Sequence, residues 1–120
     1  LVGIDNAQTG KFRMATLTVL KPTYAGNTLS FANADAGGDR FINNGRTFVF
    51  IKNDDAGSIT VTIDATSDAG LSYVDPTKVV AAGSIAVFGP FVPRQFSDLD
   101  GYINVTYTAA TNIKVLAIGM

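Results

Sequence analysis

Asn43 to Asp64 reads NNGRTFVFIKNDDAGSITVTID, two runs rich in β-branched and aromatic residues on either side of Asn53-Asp54-Asp55-Ala56-Gly57. Val, Ile, Thr and Phe fit a pleated strand, whereas Asn, Asp and Gly favour turns, so the segment predicts a β-hairpin with a four- or five-residue connection. In the second arm Ile59, Val61 and Ile63 alternate with Thr60, Thr62 and Asp64. That period of two gives a strand one dry face and one wet face. The first arm differs, because Phe48, Val49, Phe50 and Ile51 are apolar at consecutive positions. A strand with two apolar faces is expected to be central and covered on both sides, or to press its outer face on a partner.

The arrangement returns toward the C-terminus as Tyr102 to Thr108, then Ala109-Ala110-Thr111-Asn112, then Ile113 to Ile118, a second predicted hairpin. Further strands are expected at Phe12 to Leu20, Thr28 to Ala32, Arg40 to Ile42, Leu71 to Val74, Lys78 to Val80, Ile85 to Phe88 and Arg94 to Phe96, with Gly, Pro, Asn or Asp in the connections. All ten acidic residues are Asp, which suits turns better than helices. The pattern predicts an all-β fold, an antiparallel sandwich of jelly-roll type with about eight to ten strands, in a single domain over residues 1–120. Leu1 to Gly10, LVGIDNAQTG, is polar after its opening residues and is expected to form an extended N-terminal arm.

Composition narrows the chemistry. The formal charge is −1, and Lys and Arg stand singly from Lys11 to Lys114, so neither nucleic acid nor an anionic membrane surface is an expected partner. There is no apolar run of the length that crosses a bilayer as a helix, roughly 20 residues. With no His and no Cys, the usual general base near neutral pH and the thiol nucleophile are both missing. Ser58, Ser72 and Ser84 lie outside any Gly-x-Ser-x-Gly elbow, and no spacing selects a pair of Asp for glycoside hydrolysis. Asp98-Leu99-Asp100-Gly101 and Asp54-Asp55 offer hard oxygen ligands, but the residues that follow do not continue a calcium-loop pattern. Asp98 and Asp100 are therefore expected to build turns ahead of Gly101. No catalytic residue, metal or cofactor site is expected.

Phe88 to Gly101, FGPFVPRQFSDLDG, concentrates Phe88, Phe91 and Phe96 around Pro90, Pro93 and Arg94. Proline cannot donate to a sheet ladder, so the segment reads as an edge, a corner or a loop with a stiffened backbone. Two readings stand open: the three rings close one end of the sandwich, or the segment forms a contact surface, since aromatic residues and Arg are enriched at interface hot spots. Together with the doubly apolar strand, the second reading makes Phe48, Phe50, Phe88, Phe91, Pro93, Arg94 and Phe96 the candidate interface residues.

Asn44-Gly45-Arg46-Thr47-Phe48-Val49-Phe50-Ile51-Lys52-Asn53, the Gly57 to Thr62 arm, Ala82-Gly83 ahead of a strand, Gly89-Pro90-Phe91 and Asp100 to Tyr107 occur in that order. From about Asp39 to Ile118 this order resembles small β-rich virion proteins of tailed bacteriophages, of the capsid decoration, or cement, type. The resemblance brings no catalytic motif. It implies a non-enzymatic structural protein made in the bacterial host cytoplasm and placed on the capsid surface of the virion. It also implies the major capsid protein as partner and a homotrimer or other homo-oligomer on the particle. The alternatives are a neck, tail or fibre component, and a carbohydrate- or receptor-binding module using Tyr24, Tyr73 or Tyr102 as stacking platforms.

Overall fold

The computed structural model describes residues 14–65, 74–98 and 100–120. Along these residues run β1 (Ala15–Thr16), β2 (Ala32–Asn33), β3 (Asp39–Ile42), β4 (Thr47–Asn53), β5 (Ile59–Ile63), β6 (Thr77–Val80), β7 (Ile85–Phe88), a single helical turn α1 (Pro93–Phe96), β8 (Tyr102–Tyr107) and β9 (Ile113–Gly119). One sheet has the order β2-β9-β4-β7 and the other β1-β3-β8-β5-β6. Apart from the parallel pair β1 and β3, all neighbouring strands are antiparallel. The orders β2-β9-β4-β7 and β3-β8-β5-β6 interleave chain-distant strands in the double Greek key of a jelly roll, with β1 added at one edge.

The core lies between the sheets. Val49 and Ile51 from β4 and Val115 and Ala117 from β9 face Val61 and Ile63 from β5, Ile103 and Val105 from β8 and Phe41 from β3, all buried. The alternation predicted for the second arm is what the structure shows, since Ile59, Val61 and Ile63 are buried and Thr60 and Thr62 are half-exposed.

The two predicted hairpins are corrected. β4 pairs with β7 and β9, whereas β5 pairs with β6 and β8, so the Asp54 to Ser58 connection crosses from one sheet to the other. β8 and β9 likewise lie in different sheets, as do β6 and β7. A few residues reach across the roughly 10 Å between packed sheets as easily as they reverse a strand. The turn residues are therefore the same for both outcomes. What separates them is that both arms carry a full apolar face; in the arch those faces meet across the core.

Asn53 holds the first arch. It is wholly buried, and its side-chain nitrogen donates to the carbonyls of Gly57 and Val80, both at 2.9 Å, while its Oδ1 accepts from the Asp55 amide. Its own backbone bonds Ser84 and Gly83 in the β6–β7 crossing, and the Asp54 amide reaches the Asn112 carbonyl in the β8–β9 crossing. All three crossings thus share one end of the sandwich.

A second buried polar group lies at the start of β3. Asp39 Oδ2 accepts from the Tyr107 hydroxyl at 2.7 Å and from the Asp35 amide at 3.1 Å, while its Oδ1 is buried without a hydrogen-bond partner among the described residues. Burial raises the carboxyl above the ordinary Asp range, outweighing the two hydrogen bonds, and the Asp35 charge adds to the rise. The Tyr107 phenol is pushed up by its own burial and by the Asp39 charge.

Other boundaries shift modestly. Of the strand expected over Phe12 to Leu20, the described part keeps Ala15–Thr16 and an isolated bridge from Leu20 to Ile118. The strand expected over Thr28 to Ala32 is Ala32–Asn33. Leu71, Ser72 and Tyr73 lie outside the described residues, and so does the arm expected at Leu1 to Gly10.

Candidate functional site

The outward positions of the β2-β9-β4-β7 sheet bring apolar side chains together. Because directly opposed residues share a face, the register places Phe48 beside Ile118, and Phe50 between Leu116 and Val87. Lys52 stands between Lys114 and Ile85 in the next row. Phe48, Phe50 and Ile118 are half-buried, Leu116 is nearly buried, and Ile85 and Val87 are 56% and 54% exposed. The opposite sheet has a mixed exterior, with Arg40, Asn104, Thr106, Thr60 and Thr62 outward beside the exposed Ile42 and Val79.

Lys52 and Lys114 mark the margin of the apolar face near the three crossings. Lys52 lies 3.7 Å from Asp54 in an exposed pair, and Lys114 donates to Asn33 at 2.6 Å. At such exposure these contacts orient side chains more than they stabilise the fold. A partner on this face would meet an apolar centre with a basic rim.

The seven candidate interface residues separate into three groups. Phe48 and Phe50 lie on the apolar face. Phe88, Phe91 and Phe96 pack toward the core, Phe91 buried and the other two half-buried, in the arrangement of the first of the two open readings. Phe88 is opposite inward-facing Val49, and Phe91 is 4% exposed with its ring 6.2 Å from Phe41 and 5.3 Å from Phe96. The rings close one end of the sandwich because the chain must bend there and leave no void. Gly89 makes the bend possible: at φ +117° a Cβ would be strained, and it would sit 2.8 Å from the Thr47 carbonyl. Pro93 and Arg94 are exposed on α1, which replaces the strand expected at Arg94 to Phe96. Proline fits the first turn of a helix, where its missing N–H is not needed, so Pro93 opens α1.

The corner lies close to the start of β4, since a Cβ on Gly89 would meet Phe48 Cα and one on Gly45 would meet Pro93. Val92, between them in sequence, is 57% exposed. Ile85, Val87 and Ile118 were not among the sequence candidates. Their signal was present: Ile85 to Phe88 (IAVF) and Val115 to Ile118 (VLAI) are apolar at consecutive positions, as Phe48 to Ile51 is.

Asp98 is a turn former. Its Oδ1 accepts from the amides of Asp100 and Tyr102, and its Oδ2 accepts from the Asn104 side chain. Burial pushes this carboxyl up, but those bonds and the nearby Arg40 charge outweigh it and hold the pKa below the usual range. Both oxygens are engaged within the protein. Of the tyrosines weighed as stacking platforms, Tyr102 has the Arg40 guanidinium 4.3 Å over its ring, Tyr24 is fully exposed in a loop, and Tyr73 lies outside the described residues.

Comparison with protein-family models, curated proteins and solved structures found no match to this chain.

Proposed function

We propose that this chain is a non-enzymatic structural protein of a tailed-phage virion that decorates the head shell, with the major capsid protein as its partner. One observation carries the reading: a jelly roll presents the apolar face of Phe48, Phe50, Ile85, Val87 and Ile118 outward. Contiguous exposed apolar patches mark interaction sites in folded proteins. The resemblance in segment order from about Asp39 to Ile118 supplies the kind of partner, and the rigid sandwich supplies a face that needs little ordering on contact.

The test is sedimentation of undecorated phage heads with the purified chain. Binding saturates at a fixed stoichiometry and raises the heat resistance of the heads, because a ligand of the folded shell stabilises it by mass action. Val87→Lys, at an exposed position, keeps the fold and weakens head binding roughly tenfold or more by placing a charge in a dry contact. Failure of the wild-type chain to bind heads ends the reading, and binding to isolated tails in place of heads moves it to a tail component.

A further inference from the structure

We infer that Asn44 is a self-modification site: the Gly45 backbone nitrogen closes on its side-chain carbonyl, ammonia leaves, and water opens the resulting succinimide to aspartate or isoaspartate. Asn44 alone among the asparagines is followed by Gly, so no side chain stands beside the attacking nitrogen. It is exposed to water in the turn between β3 and β4, where Gly45 takes a φ of +84°.

All three reacting heteroatoms are hydrogen-bonded in the sense that helps this reaction. Asn44 Oδ1, where negative charge gathers as the ring closes, accepts from the Arg46 amide at 2.8 Å and from the Thr47 hydroxyl at 3.0 Å. Donors fixed at such distances stabilise a developing oxyanion without waiting for solvent to reorient. The Gly45 N–H donates to Asn43 Oδ1 at 2.9 Å, which polarises that bond and leaves electron density on the nitrogen that attacks. Asn44 Nδ2 donates to the Met120 carbonyl at 3.1 Å, which makes this nitrogen easier to protonate as it leaves. In the unfolded chain mobile water takes all three places.

Nothing is oxidised or reduced. Solvent hydroxide takes the Gly45 amide proton, the bond from Gly45 N to Asn44 Cγ forms, and the carbonyl electron pair moves to Oδ1. Its return breaks the Cγ–Nδ2 bond, and Nδ2 takes a proton from water and departs as ammonia. Hydrolysis then breaks one of the two imide C–N bonds, so the net change is one water in and one ammonia out. Either product lacks the donor to Met120 and carries a new negative charge. Isoaspartate also adds a methylene to the main chain just ahead of Thr47, which opens β4 opposite Gly119 of β9. The reaction requires only this chain and water, so it does not rest on the capsid reading.

Incubation of the full chain in mildly alkaline buffer, followed by intact mass measurement and peptide mapping, tests it. The folded wild type gains about one dalton per chain, located at Asn44, with isoaspartate among the products. It does so roughly fivefold faster or more than the same chain unfolded in urea at the same pH, the effect of one retained hydrogen bond on a barrier. Thr47→Val, which removes one of the two Oδ1 donors, slows the folded chain toward the unfolded rate and leaves the rate in urea unchanged; if that variant does not fold, the wild-type comparison decides alone. A folded wild type that converts no faster than the unfolded chain, conversion spread over other asparagines, or a folded Thr47→Val chain that reacts as fast as the wild type would overturn the proposal.

Discussion

Asn53 stands where the alternation of β4 calls for an apolar inward side chain, and the structure explains the exception by the three hydrogen bonds it makes at the arch. Its truncation leaves the buried Val80 carbonyl, and the part-buried Gly57 carbonyl and Asp55 amide, without that partner. Asn53→Ala is therefore expected to cost about 2–4 kcal/mol, read from urea unfolding at an unchanged denaturant slope; a loss within 0.5 kcal/mol, roughly the scale of an ordinary surface substitution, would show that the arch does not depend on it. Asp39 behaves in the opposite sense. Its folded pKa lies above the ordinary 3.8, so the folded chain binds this proton more tightly than the unfolded chain does. The associated stability is present below the unfolded value and is lost as pH rises through the folded value. Asp39→Asn removes that dependence, so its stability relative to the wild type should improve from pH 3.5 toward neutrality; parallel curves of stability against pH would contradict it.

At the scale of elements, the aromatic corner shows how backbone and side chains share one task. Gly89 lets the chain leave β7 against Thr47, Phe91 enters the core, and α1 returns Phe96 to cover it. Phe91→Ala should therefore destabilise folding by about 3–5 kcal/mol, as large-to-small core changes do, measured by thermal and urea unfolding of the isolated chain. A variant of full stability that only lost association would restore Phe91 to the contact surface. The β4 strand was legible as central and doubly apolar because period-two patterning is a local property. Its partners were not, since the Asp54 to Ser58 turn is compatible with a hairpin and with a sheet crossing, and the choice depends on β7 and β9, far away in the chain.

At the scale of the molecule, the two sheets divide the surface by chemistry. The exterior of the β1-β3-β8-β5-β6 sheet mixes Thr, Asn and Arg40 with exposed Ile42 and Val79, and the exterior of the other sheet is apolar at Phe48, Phe50, Ile85, Val87 and Ile118. Val87→Lys should impair head binding while its urea unfolding matches the wild type; head binding equal to the wild type would remove Val87 from the contact.

By itself the sequence determined that this chain is a β protein with arms of defined inward face, because apolar alternation and turn composition act between neighbours in the chain. It also determined the short supply of reactive groups. Only the tertiary structure decided that the apparent hairpins are arches, that Phe91 serves the core, and that Ile85, Val87 and Ile118 join Phe48 and Phe50. Those outcomes depend on which distant strands pair, and pairing is settled by burying every inward face at once.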